Sequence, residues 1–203
     1  MLLKNIPNIL SIFRILVSPL VFYYIYINNF FSLSVALILF LCGAISDGLD
    51  GYYARNYNAI SKLGKNLDPI ADKILIQLAF ISLFIISNVA VKLWMLSLII
   101  FRDILVTYIR HISNQQKITF ETSRLAKYKT LFQVITISII LLVMINYQRN
   151  LDLVNYVKIF GNSVKLGDVV IYMMASICSL FTFYTGIDYY FKFIKAKNDK
   201  QIF

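Results

Sequence analysis

The sequence predicts an all-α integral membrane protein, a bundle of six transmembrane helices with a short interfacial segment at the N-terminus. Apolar side chains make up 59% of the 203 residues, and the mean hydropathy is +0.71. A soluble domain of this size needs a more polar surface. The chain also divides into six apolar stretches, each close to the roughly 20 residues that cross a bilayer as a helix.

The predicted elements follow one another along a single membrane domain, 1–203. Residues 1–6 form a short amphipathic segment, and without a compact basic region or a small-residue cleavage site we do not expect a cleaved signal peptide. Residues 148–165 are the longest polar stretch and predict a loop on one side of the membrane. The six spans are predicted at about 7–29, 32–55, 67–88, 91–113, 122–147 and 166–194.

Basic residues are distributed unequally between the two sides of these spans. Four of the twenty lysines and arginines fall on one side, namely Lys92, Arg149, Lys158 and Lys165. The other sixteen fall on the side that holds both termini, which the positive-inside rule assigns to the cytoplasm. The net charge of +10 therefore suits anionic headgroups or phosphorylated substrates at a cytoplasmic (inner) membrane, and the hydropathy argues against a nucleic-acid partner.

Four aspartates form a compact pattern at the ends of the second and third spans. Asp47 and Asp50 are three residues apart and Asp68 and Asp72 are four apart, so each pair shares a helix face. A carboxylate at membrane depth costs about 2.5–3.5 kcal/mol on insertion scales, and four together repel one another unless cations lie between them. The pattern therefore predicts two divalent cations, Mg²⁺ or Mn²⁺, which can clamp the attacking and leaving oxygens of a displacement at phosphorus.

Small and basic residues surround this acidic motif. Gly51, Ala54 and Gly64 would let a substrate approach the backbone, and Arg55 offers a planar fork to a phosphate. Taken alone, the small residues are equally well explained by close helix packing in a membrane. Their position between four aspartates favours the functional interpretation.

A second group of cations predicts an anion site for a phosphorylated acceptor. Arg102 and Arg110 are eight residues apart, which predicts one face of the fourth span, and Lys127 and Lys129 begin the fifth. The alternative explanation is the ordinary enrichment of basic residues at cytoplasmic helix ends. Asp103, beside Arg102, is an alternative partner for that arginine.

Other chemistries find little support in the sequence. His111 is the only histidine, which excludes the paired histidines of phospholipase-D-type enzymes and a Ser-His-Asp set. Cys42 and Cys178 lie in apolar runs without metal-ligand spacing. Asp188 has no assigned role, and a lysine of a neighbouring helix is a candidate partner. A divalent-cation transporter is an alternative from another class, disfavoured because all four motif aspartates fall near one membrane face.

The acidic motif carries a family resemblance. The run D-x2-D-G-x2-A-R-x8-G-x3-D-x3-D, from Asp47 to Asp72, matches every fixed position of the signature of the CDP-alcohol phosphatidyltransferases. N-I-P-N-I-L-S-I-F-R (5–14), F-R-D-I-L-V-T-Y-I-R (101–110) and A-K-Y-K-T (126–130) resemble the bacterial branch that uses glycerol 3-phosphate. The resemblance implies transfer of a phosphatidyl group from CDP-diacylglycerol to sn-glycerol 3-phosphate, releasing CMP. Phosphatidylglycerol, serine or an inositol phosphate are alternative acceptors.

The resemblance also implies individual roles. Asp47 and Asp68 would bridge both cations, Asp50 would hold the first, and Asp72 would hold the second and act as general base. The positions implied for the CDP-lipid are Asn8, Ser11, Gly51, Arg55 and Ser61. Those expected to hold the acceptor phosphate are Arg102, Arg110, Lys127 and Lys129. The sequence does not define the oligomeric state, and the dimers formed by members of the family make a homodimer one option.

Overall fold

The six predicted helices are present in the computed structural model. It describes residues 6–57, 62–86, 91–116, 118, 125–149, 156–159 and 162–201, with side chains at 9–48, 71, 73–86, 91–116, 118, 128–149 and 165–198. The helices are α1 (Ile6–Ile27), α2 (Phe30–Tyr57), α3 (Lys62–Ile86), α4 (Leu93–Gln115), α5 (Leu125–Gln148) and α6 (Leu166–Gln201). The all-α prediction is confirmed, and α6 continues well past its predicted end. Of the predicted interfacial segment only Ile6 is described, and it begins α1.

Four of the described helices contain a stretch long and apolar enough to cross a membrane: Ile9–Ile27, Phe30–Gly48, Tyr128–Gln148 and Leu166–Asn198. The helix α3 adds a shorter apolar stretch, Lys73–Ile86. Large apolar side chains face outward, among them Leu16 and Phe31, which are 64% and 74% exposed. Such exposure suits a surface that lipid covers, and the chain is a multi-pass membrane protein.

The helices close into a ring. In spatial order α1 packs against α2, α2 against α5, α5 against α6, α6 against α4, α4 against α3, and α3 against α1. The contacts of α1 with α2 and α3 are the most extensive. Its fully buried Val21 and Ile25 belong to one core with Phe40 of α2, Leu83 of α3 and Ile140 of α5. The helix α1 therefore supports both helices that carry the acidic motif.

The turn between α1 and α2 fixes one end of the bundle. Asn28 has a left-handed backbone (φ 53°), which asparagine tolerates better than most residues. Asn29 caps α2 reciprocally: its Oδ1 accepts from the Ser32 N–H at 2.7 Å, and its own N–H donates to Ser32 Oγ at 3.0 Å. Gln148 Nε2 donates to the Asn28 carbonyl at 2.8 Å. The α1–α2 turn and the end of α5 thus lie on the same side of the bundle.

The stretch predicted as a loop at 148–165 contains a small β-hairpin. Strand β1 (Tyr156–Ile159) pairs antiparallel with β2 (Asn162–Lys165), and Tyr156 lies opposite Lys165. The Lys165 ammonium lies 5.6 Å from the centre of the Tyr147 ring, at the end of α5. Strands of four residues are too short for a clear alternating pattern, and for this reason the loop prediction was wrong at these positions.

Candidate active site

The acidic motif lies on two consecutive helices, α2 and α3. Asp47 and Asp50 belong to the C-terminal half of α2, and Asp68 and Asp72 belong to the N-terminal half of α3. The two helices approach closely at Gly43, where an added Cβ would lie 2.9 Å from Leu75 Cδ2. The two halves of the motif therefore lie on helices that also touch one another.

Asp47 is the motif aspartate whose side chain the structure describes. Its side chain is 38% exposed, and its Oδ1 accepts a hydrogen bond from Arg14 Nη1 at 3.0 Å. Arg14 Nε also points to Ser46 Oγ at 3.5 Å, and Ser46 donates to the Gly43 carbonyl at 2.7 Å. The carboxylate is thus tied to α1 on one side and open on the other.

A cavity of about 350 Å³ opens beside Asp47. Arg14 and Asp47 supply its charged lining, and the remaining walls are mostly apolar. Those walls come from α2, α3 and α5, with Leu41, Gly43, Ala44, Ile45, Gly48, Leu75, Ile76, Thr130, Leu131 and Val134. An anionic group beside long apolar walls suits a ligand with a charged head and hydrocarbon chains.

The donor chemistry of the motif fits a hard divalent cation. All four predicted ligands are carboxylates, and oxygen ligands are those that Mg²⁺ and Mn²⁺ prefer. Asp50, Asp68 and Asp72 lie on the described helices, but their side chains are outside the described set. Among the side chains that are described, no group of three His, Cys, Asp or Glu residues could hold a metal ion.

Four of the five positions predicted for the CDP-lipid lie on α1 and α2. Ser11 is fully buried on α1, one turn before Arg14. Asn8, Gly51 and Arg55 belong to described helices, but their side chains are outside the described part, and Ser61 lies outside it altogether. Their predicted roles stay predictions.

Two of the four predicted acceptor residues converge on one buried carboxylate. Arg102 Nη1 and Lys129 Nζ donate to Asp103 Oδ1 at 3.1 and 2.7 Å. Asp103 is 3% exposed, and Gln77 Nε2 of α3 lies 3.5 Å from its other oxygen. Arg102 Nε donates to Thr185 Oγ1 of α6 at 3.2 Å. This ion cluster therefore joins α3, α4, α5 and α6.

The prediction that Arg102 and Arg110 share one face of α4 was wrong. Arg102 is 7% exposed and lies on the buried stripe with Val106 and Ile109, whereas Arg110 is exposed. Eight residues at 3.6 per turn leave an offset of about 80°, enough to separate the two side chains. Lys127 begins α5, and its side chain is outside the described set.

A second groove, lined mainly by residues with polar or charged groups, lies between α3 and α4. It encloses about 450 Å³ and is lined by Lys73, Gln77, Asp103, Ile104, Thr107, Tyr108 and His111. Lys73 donates to Thr107, and His111 is exposed and bonded to Gln115 at 2.9 Å. The ion cluster faces this groove through Asp103.

Arg14, Ser46 and Gln77 were not among the predicted site residues. Arg14 had a signal in the sequence, because an arginine inside an apolar span usually has a functional or structural partner. Ser46 and Gln77 had none, since a single serine or glutamine is common in such helices.

Asp188 pairs with Lys192 of its own helix at 2.9 Å, so the expected partner on a neighbouring helix was wrong.

Fold and site together define a multi-pass membrane protein with a four-carboxylate motif on two consecutive helices. The family model for CDP-alcohol phosphatidyltransferase matches residues 4–164. The chain belongs to this family, and it is accordingly a membrane transferase of phospholipid biosynthesis.

Curated relatives from several bacteria share one name, CDP-diacylglycerol–glycerol-3-phosphate 3-phosphatidyltransferase. The Rickettsia felis protein is 41% identical over 139 residues, which cover 68% of this chain and 76% of the relative. The Aquifex aeolicus protein is 31% identical over 171 residues, 84% of this chain and 91% of the relative. The Mycoplasma genitalium protein is 29% identical over 214 residues, 97% of this chain and 88% of the relative.

Proposed function

We propose that the protein transfers the phosphatidyl group of CDP-diacylglycerol to sn-glycerol 3-phosphate, giving phosphatidylglycerophosphate and CMP. The observation that carries this proposal is the apolar cavity beside Asp47, the first aspartate of the acidic motif. The names of the relatives supply the substrates.

The cavity suits both the acyl chains and the charged head of the lipid substrate. Leu41, Ile45, Leu131 and Val134 offer hydrocarbon walls, and Asp47 lies at the edge where a pyrophosphate would sit. A diphosphate beside carboxylates requires positive charge between them. Arg55, one helical turn beyond Gly51 on α2, is the residue we assign to a phosphate of the CDP-lipid.

We assign Asp47, Asp50, Asp68 and Asp72 to hold two divalent cations, Mg²⁺ or Mn²⁺. When bound, these cations would supply the positive charge that phosphate oxygens need as negative charge develops in the transition state. Asp72 would take the proton of the acceptor hydroxyl. The hydroxyl oxygen forms a bond to the lipid-side phosphorus while the bond from that phosphorus to CMP breaks, with no covalent enzyme intermediate.

The acceptor phosphate would bind near the basic residues of α4 and α5. Lys129 is next to Thr130, which lines the lipid cavity, so α5 connects the cavity to the ion cluster. Arg110 is exposed and therefore accessible to a soluble anion. Arg102 donates to Asp103 and Thr185 and would act mainly by fixing α4 against α6.

We place the active site and both termini on the cytoplasmic side of the inner membrane. The distribution of lysine and arginine supports this orientation. The contact between the α1–α2 turn and the end of α5 supports the predicted grouping of loops, since both belong to the side with few basic residues.

A panel of acceptor alcohols tests the proposed function. Purified protein with CDP-diacylglycerol and Mg²⁺ should release CMP and form a new lipid with sn-glycerol 3-phosphate. Phosphatidylglycerol, serine and an inositol phosphate should give neither product. Turnover with one of these instead would overturn the acceptor assignment and leave the family membership intact.

A further inference from the structure

A buried arginine contacts the first aspartate of the motif. Arg14 lies in the apolar stretch of α1, and its side chain is 1% exposed. Its Nη1 lies 3.0 Å from Asp47 Oδ1, and its Nε lies 3.5 Å from Ser46 Oγ, so the guanidinium engages two consecutive residues of α2. Neither the family signature nor the predicted ligand set includes this residue.

We propose that Arg14 is a positioning residue for the metal site. Its guanidinium holds Oδ1 of Asp47 and thereby fixes the direction of the other carboxylate oxygen. This inference rests on the proposed role of Asp47 as a metal ligand, and it concerns the affinity of the site for the cation.

The chemistry of the two groups supports such a role. A guanidinium remains charged at all accessible pH values, so a buried arginine needs an anionic or polar partner at all times. Asp47 is 38% exposed at a helix surface, where an untethered carboxylate would sample several rotamers. The hydrogen bond from Arg14, whose guanidinium is itself held by Ser46, reduces this freedom before any cation arrives.

Residues that orient a ligand in this way affect metal affinity strongly. Loss of a hydrogen-bonding partner of a metal ligand typically weakens metal binding or activity by about 10–100-fold. A purely structural ion pair would change the stability of the bundle and leave the affinity of the folded protein for the cation unchanged. A measurement of cation affinity therefore distinguishes a positioning residue from a purely structural ion pair.

The test measures Mn²⁺ binding to purified, folded protein in detergent, without lipid substrates, by the electron paramagnetic resonance signal of free Mn²⁺. The variants are Arg14→Gln, which removes the charge, and Arg14→Lys, which keeps the charge and loses the fork. Ser18→Ala is the matched control, because Ser18 is fully buried on the same helix and donates to the Arg14 carbonyl at 2.6 Å.

We expect Arg14→Gln to weaken Mn²⁺ binding about 10–100-fold, Arg14→Lys to fall between it and the wild type, and Ser18→Ala to match the wild type. Wild-type affinity in folded Arg14→Gln would overturn the proposal. If Arg14→Gln does not fold, the test rests on Arg14→Lys. An unchanged Mn²⁺ affinity of this variant would overturn the proposal, and a several-fold loss would support it. A wild type that binds Mn²⁺ but ignores glycerol 3-phosphate would refute the proposed function alone.

Discussion

Lys129 and Arg102 share one carboxylate oxygen, Asp103 Oδ1, at 2.7 and 3.1 Å. Two residues predicted from the sequence to hold a phosphate are thus already engaged by a buried anion. Two cations on one carboxylate leave one positive charge in the cluster. A phosphate that approaches Lys129 would therefore have to compete with Asp103. The net charge of the cluster depends on Asp103 as much as on the two cations.

Asp103→Asn should destabilise the bundle. The change leaves two buried cations without their anion, and breaking a buried pair typically costs about 3–5 kcal/mol. Thermal unfolding in detergent should show a clearly lower midpoint. Asp188→Asn is the matched control, because Asp188 and Lys192 form a partly exposed pair four residues apart on α6. Such pairs contribute about 0.3–0.5 kcal/mol, so equal losses in the two variants would contradict a special role for the Asp103 cluster.

Replacing any one of Asp47, Asp50, Asp68 or Asp72 by asparagine should abolish turnover, because the change keeps the shape and removes a charge that the cations need. Chelation should likewise abolish activity of the wild type, and Mg²⁺ or Mn²⁺ should restore it. Asp168→Asn, at the start of α6 and outside the motif, is the control and should stay active. Near-normal CMP release by Asp68→Asn, or wild-type activity that is unchanged by a chelator, would contradict the two-metal assignment.

Arg110→Ala and Arg55→Ala should separate the two substrates. A lost charge-assisted contact to a phosphate costs on the order of 1.5–3 kcal/mol, or about tenfold to a hundredfold in affinity. Arg110→Ala should raise KM for glycerol 3-phosphate by such a factor and leave KM for CDP-diacylglycerol nearly unchanged, and Arg55→Ala should do the reverse. Steady-state kinetics with each substrate varied in turn provides the measurement. If both variants weakened only the CDP-lipid, Arg110 would not belong to the acceptor site.

Reporter fusions should place both ends of the chain in the cytoplasm. A reporter after Phe203 should read cytoplasmic, and one inserted at about Asn155, before the hairpin, should read exterior. A cysteine introduced at Ser61 should resist an impermeant reagent added to intact cells. An exterior C-terminus would contradict the proposed orientation.

Gly186→Ala should destabilise the protein. A Cβ at Gly186 would lie 2.8 Å from Arg102 Cγ, so the arginine would have to move away from Thr185 and Asp103. Overpacking of this kind typically costs about 1–3 kcal/mol. Gly48→Ala is the matched control for stability, because no atom of the described residues lies within 4 Å of its added Cβ. There the better helix propensity of alanine should stabilise α2 by up to about 1 kcal/mol. The same sign of change in both variants would contradict this account.

The sequence predicted the helices well, for a physical reason. Each span is long and apolar, so its existence does not depend on partners far away in the chain. The aspartates at 47–72 combine charge with an apolar context, and that conflict is itself visible in a sequence. Lys92, Arg149 and the other basic residues provide an orientation signal of the same local kind.

Contacts between helices could not be predicted in the same way. Arg14 and Asp47 are 33 residues apart, and their pairing depends on how α1 packs against α2. Arg102 and Arg110 have the same charge and a regular spacing, yet Arg102 is buried against Thr185 of α6 and Arg110 is exposed. The hairpin at 156–165 depends on backbone pairing between two short segments, which side-chain patterns hardly reveal.

The apolar cavity beside Asp47 has a consequence for how the rate should depend on substrate. A diacyl lipid whose chains rest against Leu41, Ile45 and Val134 would arrive by lateral diffusion, without leaving the hydrocarbon of the bilayer. The relevant concentration is then the mole fraction of CDP-diacylglycerol among the surrounding amphiphiles. At a fixed bulk amount of CDP-diacylglycerol, turnover should fall as inert detergent or lipid dilutes the surface, whereas for the water-soluble acceptor only the bulk concentration should count.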